Sequence, residues 1–335
     1  MAKLSILGAG GWALGLAILL NNNGHDVTVW SKVKAELDGI RGEGENKKSL
    51  PGVKIPKEIK LCEDLKTVVA DADIVVMAVA SPFVRSTAKE VASLGINNIQ
   101  MVNVAKGIEE DSLMTMTAII REEIPDVRIA ILSGPSHAEE VSRGIPTTCV
   151  IGADSKEYAE YLQNIFMSEV FRVYISPDVL GIELGGSLKN VIALAAGIAD
   201  GLGYGDNTKA ALITRGIHEI ARLGVAMGGK LQTFYGLSGM GDLIVTCASM
   251  HSRNRRAGIL MGQGKSMKEA MDEVHMVVEG VYSAKAAHEL SVKYNIEMPI
   301  VDSVNSVLFD NASASECVKE LMLRDRKIEN PDLPW

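Results

Sequence analysis

The sequence has no surplus of positive charge, no cysteines at metal-ligand or redox spacing, no repeat and no low-complexity tract. A net charge of −8 over 335 residues argues against non-specific nucleic-acid binding, so an anionic ligand has to be held by local cations and backbone amides. Cys62, Cys149, Cys247 and Cys317 stand far apart with no C-x-x-C pair. That fits free thiols in a reducing cytoplasm better than a disulfide or zinc framework, and no metal site is expected. Lys3 followed by the apolar stretch Trp12 to Leu20 imitates a signal peptide. Yet Asn21-Asn22-Asn23-Gly24 lacks the small residues of a cleavage site, and the run is too short to span a bilayer, so an internal helix is expected and no stable membrane anchor. From Asp178 onward no strand-like alternation occurs. What remains, 47% apolar and 23% charged residues, is the composition of a soluble globular protein long enough for two domains.

The N-terminal half alternates short apolar runs with glycine turns and helices. Leu4 to Leu7 leads into Gly8-Ala9-Gly10-Gly11-Trp12-Ala13, an apolar helix continues to about Asn23, and Val27 to Trp30 forms the next strand. A G-x-G-x-x-A turn between a strand and a helix, inside about thirty residues, is a dinucleotide fingerprint: Gly8 for the tight turn, Gly10 for backbone approach to a pyrophosphate. An NAD site usually carries an acid at the end of the second strand; Trp30-Ser31-Lys32 has a hydroxyl and a cation instead, which suits a 2′-phosphate and favours NADPH/NADP, with NADH/NAD also admitted. Residues 39–60 read as an excursion over the surface. Further strands are expected at Asp73–Val79, Met101–Val104, Arg128–Leu132, Thr147–Gly152 and Phe171–Ile175. Ligands in such sheets lie beyond the carboxyl ends of the strands, which gathers Ala78 to Pro82, Lys106 and Gly134 to Ala138 into one crevice. Lys106 could equally be a solvated turn lysine, and His137 a structural histidine.

The C-terminal half reads as helices only. A long apolar helix carries Glu183-Leu184-Gly185-Gly186-Ser187-Leu188-Lys189-Asn190 and runs to about Gly203. Lys189 has Gly185, Gly186, Ile192 and Ala193 as its helical neighbours, none of them a carboxylate. Glycines inside a helix are costly, so something packs close there; a desolvated lysine exchanges protons nearer neutral pH, the alternative being a lysine whose stem packs while its head reaches water. Asn207 is expected to cap a second helix that Gly228-Gly229 stops. Gly236 to Ile244 suggests a close backbone approach with Asp242 at its mouth. Ser252-Arg253-Asn254-Arg255-Arg256 offers a hydroxyl, a planar guanidinium and an amide together, a set that can grip a phosphate dianion; taken alone, the stretch could equally be a solvated basic helix start. Helices follow at about Ser266–Val274, Val281–Tyr294, Ile300–Phe309 and Ser315–Arg324. The expected architecture is therefore α/β: a doubly wound Rossmann-type domain over 1–177, followed by an all-α substrate domain over 178–335.

Together these motifs resemble the soluble, bacterial-type NAD(P)-dependent glycerol-3-phosphate dehydrogenases over nearly the whole length. The carriers are Gly8-Ala9-Gly10-Gly11-Trp12, Val104-Ala105-Lys106-Gly107, Ser133-Gly134-Pro135-Ser136, Glu183-Leu184 to Lys189-Asn190, Gly239-Met240-Gly241-Asp242 and Ser252-Arg253-Asn254-Arg255. The resemblance implies Lys189 as proton donor and acceptor. It implies that Lys106, Gly134, Ser136, Lys189, Asp242, Ser252, Arg253 and Asn254 hold the substrate, a small-molecule phosphate. It places Gly11, Trp12, Lys32, Lys106, Ala138, Arg253, Val277 and Glu279, with the fingerprint's Gly8 and Gly10, on the cofactor, and it implies a cytoplasmic homodimer making the glycerol phosphate of phospholipids. The chain departs from the family at the turn. The usual pattern is a serine, then a glycine two places on, then an alanine two further on; this chain has Gly11, Ala13 and Gly15 there. Two rivals are a β-hydroxyacid dehydrogenase, which shares the architecture and a helix-borne lysine, and a catalytically silent NADP-sensing protein.

Overall fold

The computed structural model describes residues 1–329. Eight strands form one sheet: β1 Lys3–Leu7, β2 Asp26–Trp30, β3 Lys60–Cys62, β4 Ile74–Met77, β5 Gln100–Asn103, β6 Arg128–Ser133, β7 Thr147–Ala153 and β8 Phe171–Ser176. Their order is β3-β2-β1-β4-β5-β6-β7-β8. Every neighbouring pair is parallel except β6 with β7. All four residues of β4 (Ile-Val-Val-Met) are buried, as a parallel strand covered on both faces requires. The covering helices are α1 Gly11–Asn22, α2 Lys34–Glu43, α3 Leu65–Ala70, α4 Val84–Ser93, α5 Met116–Glu123, α6 Ala138–Val141 and α7 Lys156–Phe166. In register, Leu7 pairs with both Trp30 and Met77. The turns that follow these strands, at Gly8, Ser31 and Ala78, therefore emerge side by side at one edge of the sheet.

Two expectations for this half are corrected. The stretch 39–60 is not simply a surface excursion. Its start belongs to α2, and Leu50, Val53, Ile55 and Ile59 are buried beneath the rest. The strand β3 was missed because three residues, Lys-Leu-Cys, carry no alternation that could be recognised.

After Ser176 the described residues are helical: α8 Val179–Gly201, α9 Asp206–Ala226, α10 Leu231–Phe234, α11 Asp242–Ala248, α12 Arg253–Gly262, α13 Met267–Val274, α14 Glu279–Tyr294, α15 Pro299–Phe309 and α16 Ala314–Met322. Helix α8 is the axis. Its length and hydropathy would let it cross a bilayer, but 89% of its apolar window is buried inside the protein. Asp178 caps it, accepting from Gly181 N at 3.0 Å, and the same carboxylate accepts Lys230 N at 2.8 Å and Thr233 Oγ1 at 2.5 Å, pinning the α9–α10 turn. Asn207 does not cap α9; Gly205 occupies the cap position and Asn207 lies inside the first turn.

Helices α8 and α12 pack backbone to backbone. A β-carbon on Gly197 would run into Arg255 O, one on Gly201 into Ile259 O, one on Gly258 into Leu194 O and one on Gly262 into Ile198 O. Each helix thus presents two glycines four residues apart to the other, the spacing that lets helix axes approach closely. This contact sets the N-terminus of α12, with Ser252, Arg253 and Asn254, beside the middle of α8, where Lys189 sits.

Candidate active site

Lys189 is 5% exposed, and its local surroundings are as small as its helical neighbours suggest. A β-carbon on Gly185 would lie 2.9 Å from Ser238 O, and one on Gly186 would lie 2.8 Å from Ser133 Oγ. The two glycines therefore let the Ser238 turn and the end of β6 close onto α8. The absence of a carboxylate is corrected by tertiary contact. A π-type turn at Leu237–Gly241 delivers Asp242 to the start of α11, and Asp242 Oδ1 stands 3.1 Å from Lys189 Nζ. Lys189 Nζ also donates to Thr246 Oγ1 at 2.7 Å and to Asn190 Oδ1 at 3.2 Å. Thr246 in turn donates to Asp242 O at 2.5 Å.

The other oxygen of Asp242 serves a second lysine. Lys106 Nζ lies 2.6 Å from Asp242 Oδ2, donates to Gly134 O at 3.1 Å, and is 3.5 Å from Ser136 Oγ. One buried carboxylate is thus shared by two ammonium groups, leaving a net positive charge at the foot of the cleft. Burial pushes the Lys189 ammonium down to about 8; Asp242 opposes that shift and Lys106 reinforces it. A lysine held there can give and take protons at neutral pH.

Of the phosphate-gripping trio, two side chains are already engaged. Ser252 Oγ caps α12 by accepting Arg255 N at 3.2 Å. Asn254 donates to Asn190 Oδ1 at 2.9 Å and accepts from Gly280 N at 2.8 Å. Asn190 therefore links Lys189 to α12 and, through Asn254, to the start of α14. Arg255 is spent on Asp200. Arg253 and Arg256 line the cleft, and neither is in an ion pair among the described residues; Arg256 Nε is buried without a partner. Glu279, at the start of α14, accepts from Ser81 Oγ and Ser81 N across the cleft, and burial raises its carboxyl above the usual range.

The cleft, about 260 Å³, runs from these lysines to the glycine turn; its walls include Gly10, Gly11, Trp12, Ala78, Ser136, His137, Ala138, Arg253 and Glu279. Gly8, at φ +124°, makes the sharp turn below it, and a β-carbon there would lie 2.8 Å from Ala78 O. At Gly10 a β-carbon would meet nothing within 4 Å. No side chain caps α1, so its first amides are available to an anion. Trp12 Nε1 is buried without a partner. These features fit a pyrophosphate on the α1 N-terminus. Gly11 is fixed sterically in this chain: a β-carbon there would be 2.5 Å from Ser49 O. Asn46 holds that segment down, donating to Ala9 O at 3.0 Å and accepting Ser49 N at 3.1 Å.

The cleft therefore gathers most of the residues expected from sequence. Gly134 joins it through its carbonyl on Lys106. Gly8 lies beneath the turn, while Lys32 and Val277 do not line the cleft; Lys32 is ion-paired with Glu90. Thr246 and Asn190 were missed as site residues. The signal for Thr246 was its position four residues after Asp242 on one helix; Asn190 had only its adjacency to Lys189. A larger cavity, about 590 Å³, opens among α8, α9, α15 and α16, but it holds none of the expected site residues. Among the described residues no group of three or more His, Cys, Asp or Glu could hold a metal.

Known proteins bear on this arrangement directly. Residues 3–159 match the family described as NAD-dependent glycerol-3-phosphate dehydrogenase N-terminus, and residues 178–319 match its C-terminus counterpart. A glycerol-3-phosphate dehydrogenase [NAD(P)+] of Fusobacterium nucleatum is 60% identical over 98% of this chain and 99% of its own. One from Agathobacter rectalis is 57% identical over the full length of both. The crystal structure of a glycerol-3-phosphate dehydrogenase from Coxiella burnetii superposes with a TM-score of 0.93 at 35% identity, covering 96% of this chain and 99% of the other. With both of its halves matched and relatives alike from end to end, the chain belongs to the NAD-dependent glycerol-3-phosphate dehydrogenase family.

Proposed function

We propose that this chain reversibly reduces dihydroxyacetone phosphate to sn-glycerol 3-phosphate with NADPH or NADH, supplying the backbone of glycerophospholipids. The observation that carries the reading is the pair of lysines on either oxygen of Asp242, set in a cleft that also takes in the α1 glycine turn. Nicotinamide supplies the hydride in reduction and takes it up in oxidation. As negative charge grows on the ketone oxygen, Lys189 gives it a proton; in the reverse direction Lys189 takes the proton from the hydroxyl. Lys106, fixed by Asp242 and Gly134, stabilises the growing charge without reorganising. Asp242 keeps two like charges close together, Thr246 and Asn190 aim Lys189, and Ser136 shares the Gly134 carbonyl with Lys106 as a hydrogen-bond acceptor.

Arg253, in the first turn of α12, takes the substrate phosphate and reaches the cofactor pyrophosphate, for which a guanidinium's fork is shaped. Ser252 and Asn254 act chiefly by holding that helix start in place. Binding the phosphate, remote from the reacting carbon, orients that carbon against Lys189. Residues 1–177 carry the nucleotide side of this work and 178–335 the helical side, the last six lying outside the described residues. A cytoplasmic location accords with the free thiols. A homodimer is also proposed; light scattering of the purified protein reads its mass.

The test is NADPH absorbance with dihydroxyacetone phosphate and, separately, with small 3-oxo acids. Oxidation with the phosphate alone is expected. Oxidation with the 3-oxo acids alone would replace this reading with a hydroxyacid dehydrogenase, and silence with both would leave a nucleotide sensor.

A further inference from the structure

A dinucleotide-binding sheet meets the adenosine ribose at the end of its second strand, with an acid for the 2′-hydroxyl in NAD sites and a cation for the 2′-phosphate in NADP sites. Here Ser31 and Lys32 follow Trp30, the last residue of β2, and as a sequence they favour the phosphate. The structure pairs both of them with acids. Ser31 is 5% exposed; it donates Oγ to Glu36 Oε2 at 2.6 Å and accepts Val33 N at 3.1 Å. Lys32 Nζ is ion-paired with Glu90 of α4. Glu36 lies in the first turn of α2, so the helix itself returns a carboxylate to the strand end that lacks one in sequence.

We infer that Glu36 is a specificity-determining residue: it takes the ribose 2′-hydroxyl of NAD(H) and, with Glu90 occupying Lys32, opposes a 2′-phosphate. The inference rests on the nucleotide reading above and adds the reason that both cofactors are admitted. A hydroxyl can replace Ser31 as the donor to Glu36 at no electrostatic cost. A phosphate dianion must instead displace Glu36 from Ser31, draw Lys32 from Glu90, and sit beside two carboxylates. Unit charges about 4 Å apart in a water-like medium interact strongly enough to change affinity by about fivefold. Lys32 and Glu90 are 70% and 39% exposed in their side chains, so that pair exchanges partners readily and contributes less than Glu36.

The test uses the adenosine end of the cofactor alone, with the full chain. Calorimetric titration of adenosine 2′,5′-bisphosphate and of 5′-AMP gives an affinity ratio for wild type, Glu36→Gln and Glu90→Gln. Circular dichroism checks folding, which these partly exposed positions should preserve. Wild type is expected to prefer the bisphosphate by no more than about tenfold. Glu36→Gln should raise that ratio by about fivefold, weakening 5′-AMP and tightening the bisphosphate; Glu90→Gln should raise it less, through the bisphosphate alone. An unchanged ratio in Glu36→Gln, or a wild-type preference above about a hundredfold, overturns the inference while NADPH-dependent turnover remains intact. Failure of folded wild type to bind either nucleotide overturns the cofactor reading together with it.

Discussion

Two ion pairs of this chain, one at the foot of the cleft and one beyond its lining at the end of β2, differ sharply in burial. Lys189 and Asp242 expose 6% and 3% of their side chains, and a second lysine shares the carboxylate. Lys32 and Glu90 expose 70% and 39% at the edge where the adenosine is expected. The buried pair is bound up with the fold, because removing one member strands a charge away from water. The exposed pair is screened and exchangeable, so it can tune which nucleotide fits while contributing little to stability.

The hardest way to break this contrast is Asp242→Ala. It leaves two ammonium groups facing each other at the foot of the cleft, and we expect a loss of about 3–5 kcal/mol in stability along with turnover. Denaturant unfolding measures the first; a variant as stable as wild type would mean that the pair is better hydrated than its burial implies.

Lys189→Met keeps most of the packing and removes the amine, with its proton and its contacts to Asp242, Thr246 and Asn190. Turnover should fall by about 10²–10⁴-fold, with NADPH affinity nearly unchanged when titrated by fluorescence. The wild-type pH profile sharpens the point. With the amine near 8, reduction needs the ammonium, so its rate should hold below that pH and fall above it; oxidation needs the free amine and should rise through the same range. Because Lys106 helps push Lys189 down, Lys106→Met should move the inflection to higher pH. A shift to lower pH would contradict the shared-carboxylate geometry.

Arg253→Lys tests a cleft residue of intermediate burial. Losing one or two charge-assisted hydrogen bonds of about 1.5–3 kcal/mol each should raise the apparent substrate constant at least about tenfold. Unphosphorylated dihydroxyacetone is the control, and the variant should use it no worse than wild type does. Equal losses on both substrates would confine Arg253 to cofactor binding or helix structure.

The smallest effect is expected at the exposed end. Lys32→Gln should change unfolding free energy by less than about 0.5 kcal/mol, yet weaken NADPH more than NADH in direct titration. A destabilisation comparable to that of Asp242→Ala would erase the contrast.

The strands other than β3, the long helices and the glycine turn could be read along the chain because each is written in local pattern: four buried residues in β4, a proline-free apolar run in α8, Gly8 and Gly10 between a strand and a helix. Lys189 was legible as an unusual lysine, since its helical neighbours are all small or apolar. Its partner was not legible. Asp242 lies on a different helix, far along the chain, and meets Lys189 only because Gly185 lets the Ser238 turn close onto α8. The same holds for α12, whose glycines match those of α8 across a contact that no single-helix pattern reveals. At the turn, Gly11 reads as a departure from the resembled pattern, and only the fold shows that Ser49 O leaves no room for a β-carbon there. At β2, Ser31-Lys32 read as free donors, and only the fold shows Glu36 and Glu90 already holding them. Backbone preference and burial period act over a few residues and are visible in order. Charge pairing and close approach depend on which surfaces meet; at the two lysines that was decided by the packing of α8 against its neighbours, and at the glycine turn and β2 by contacts within the sheet domain.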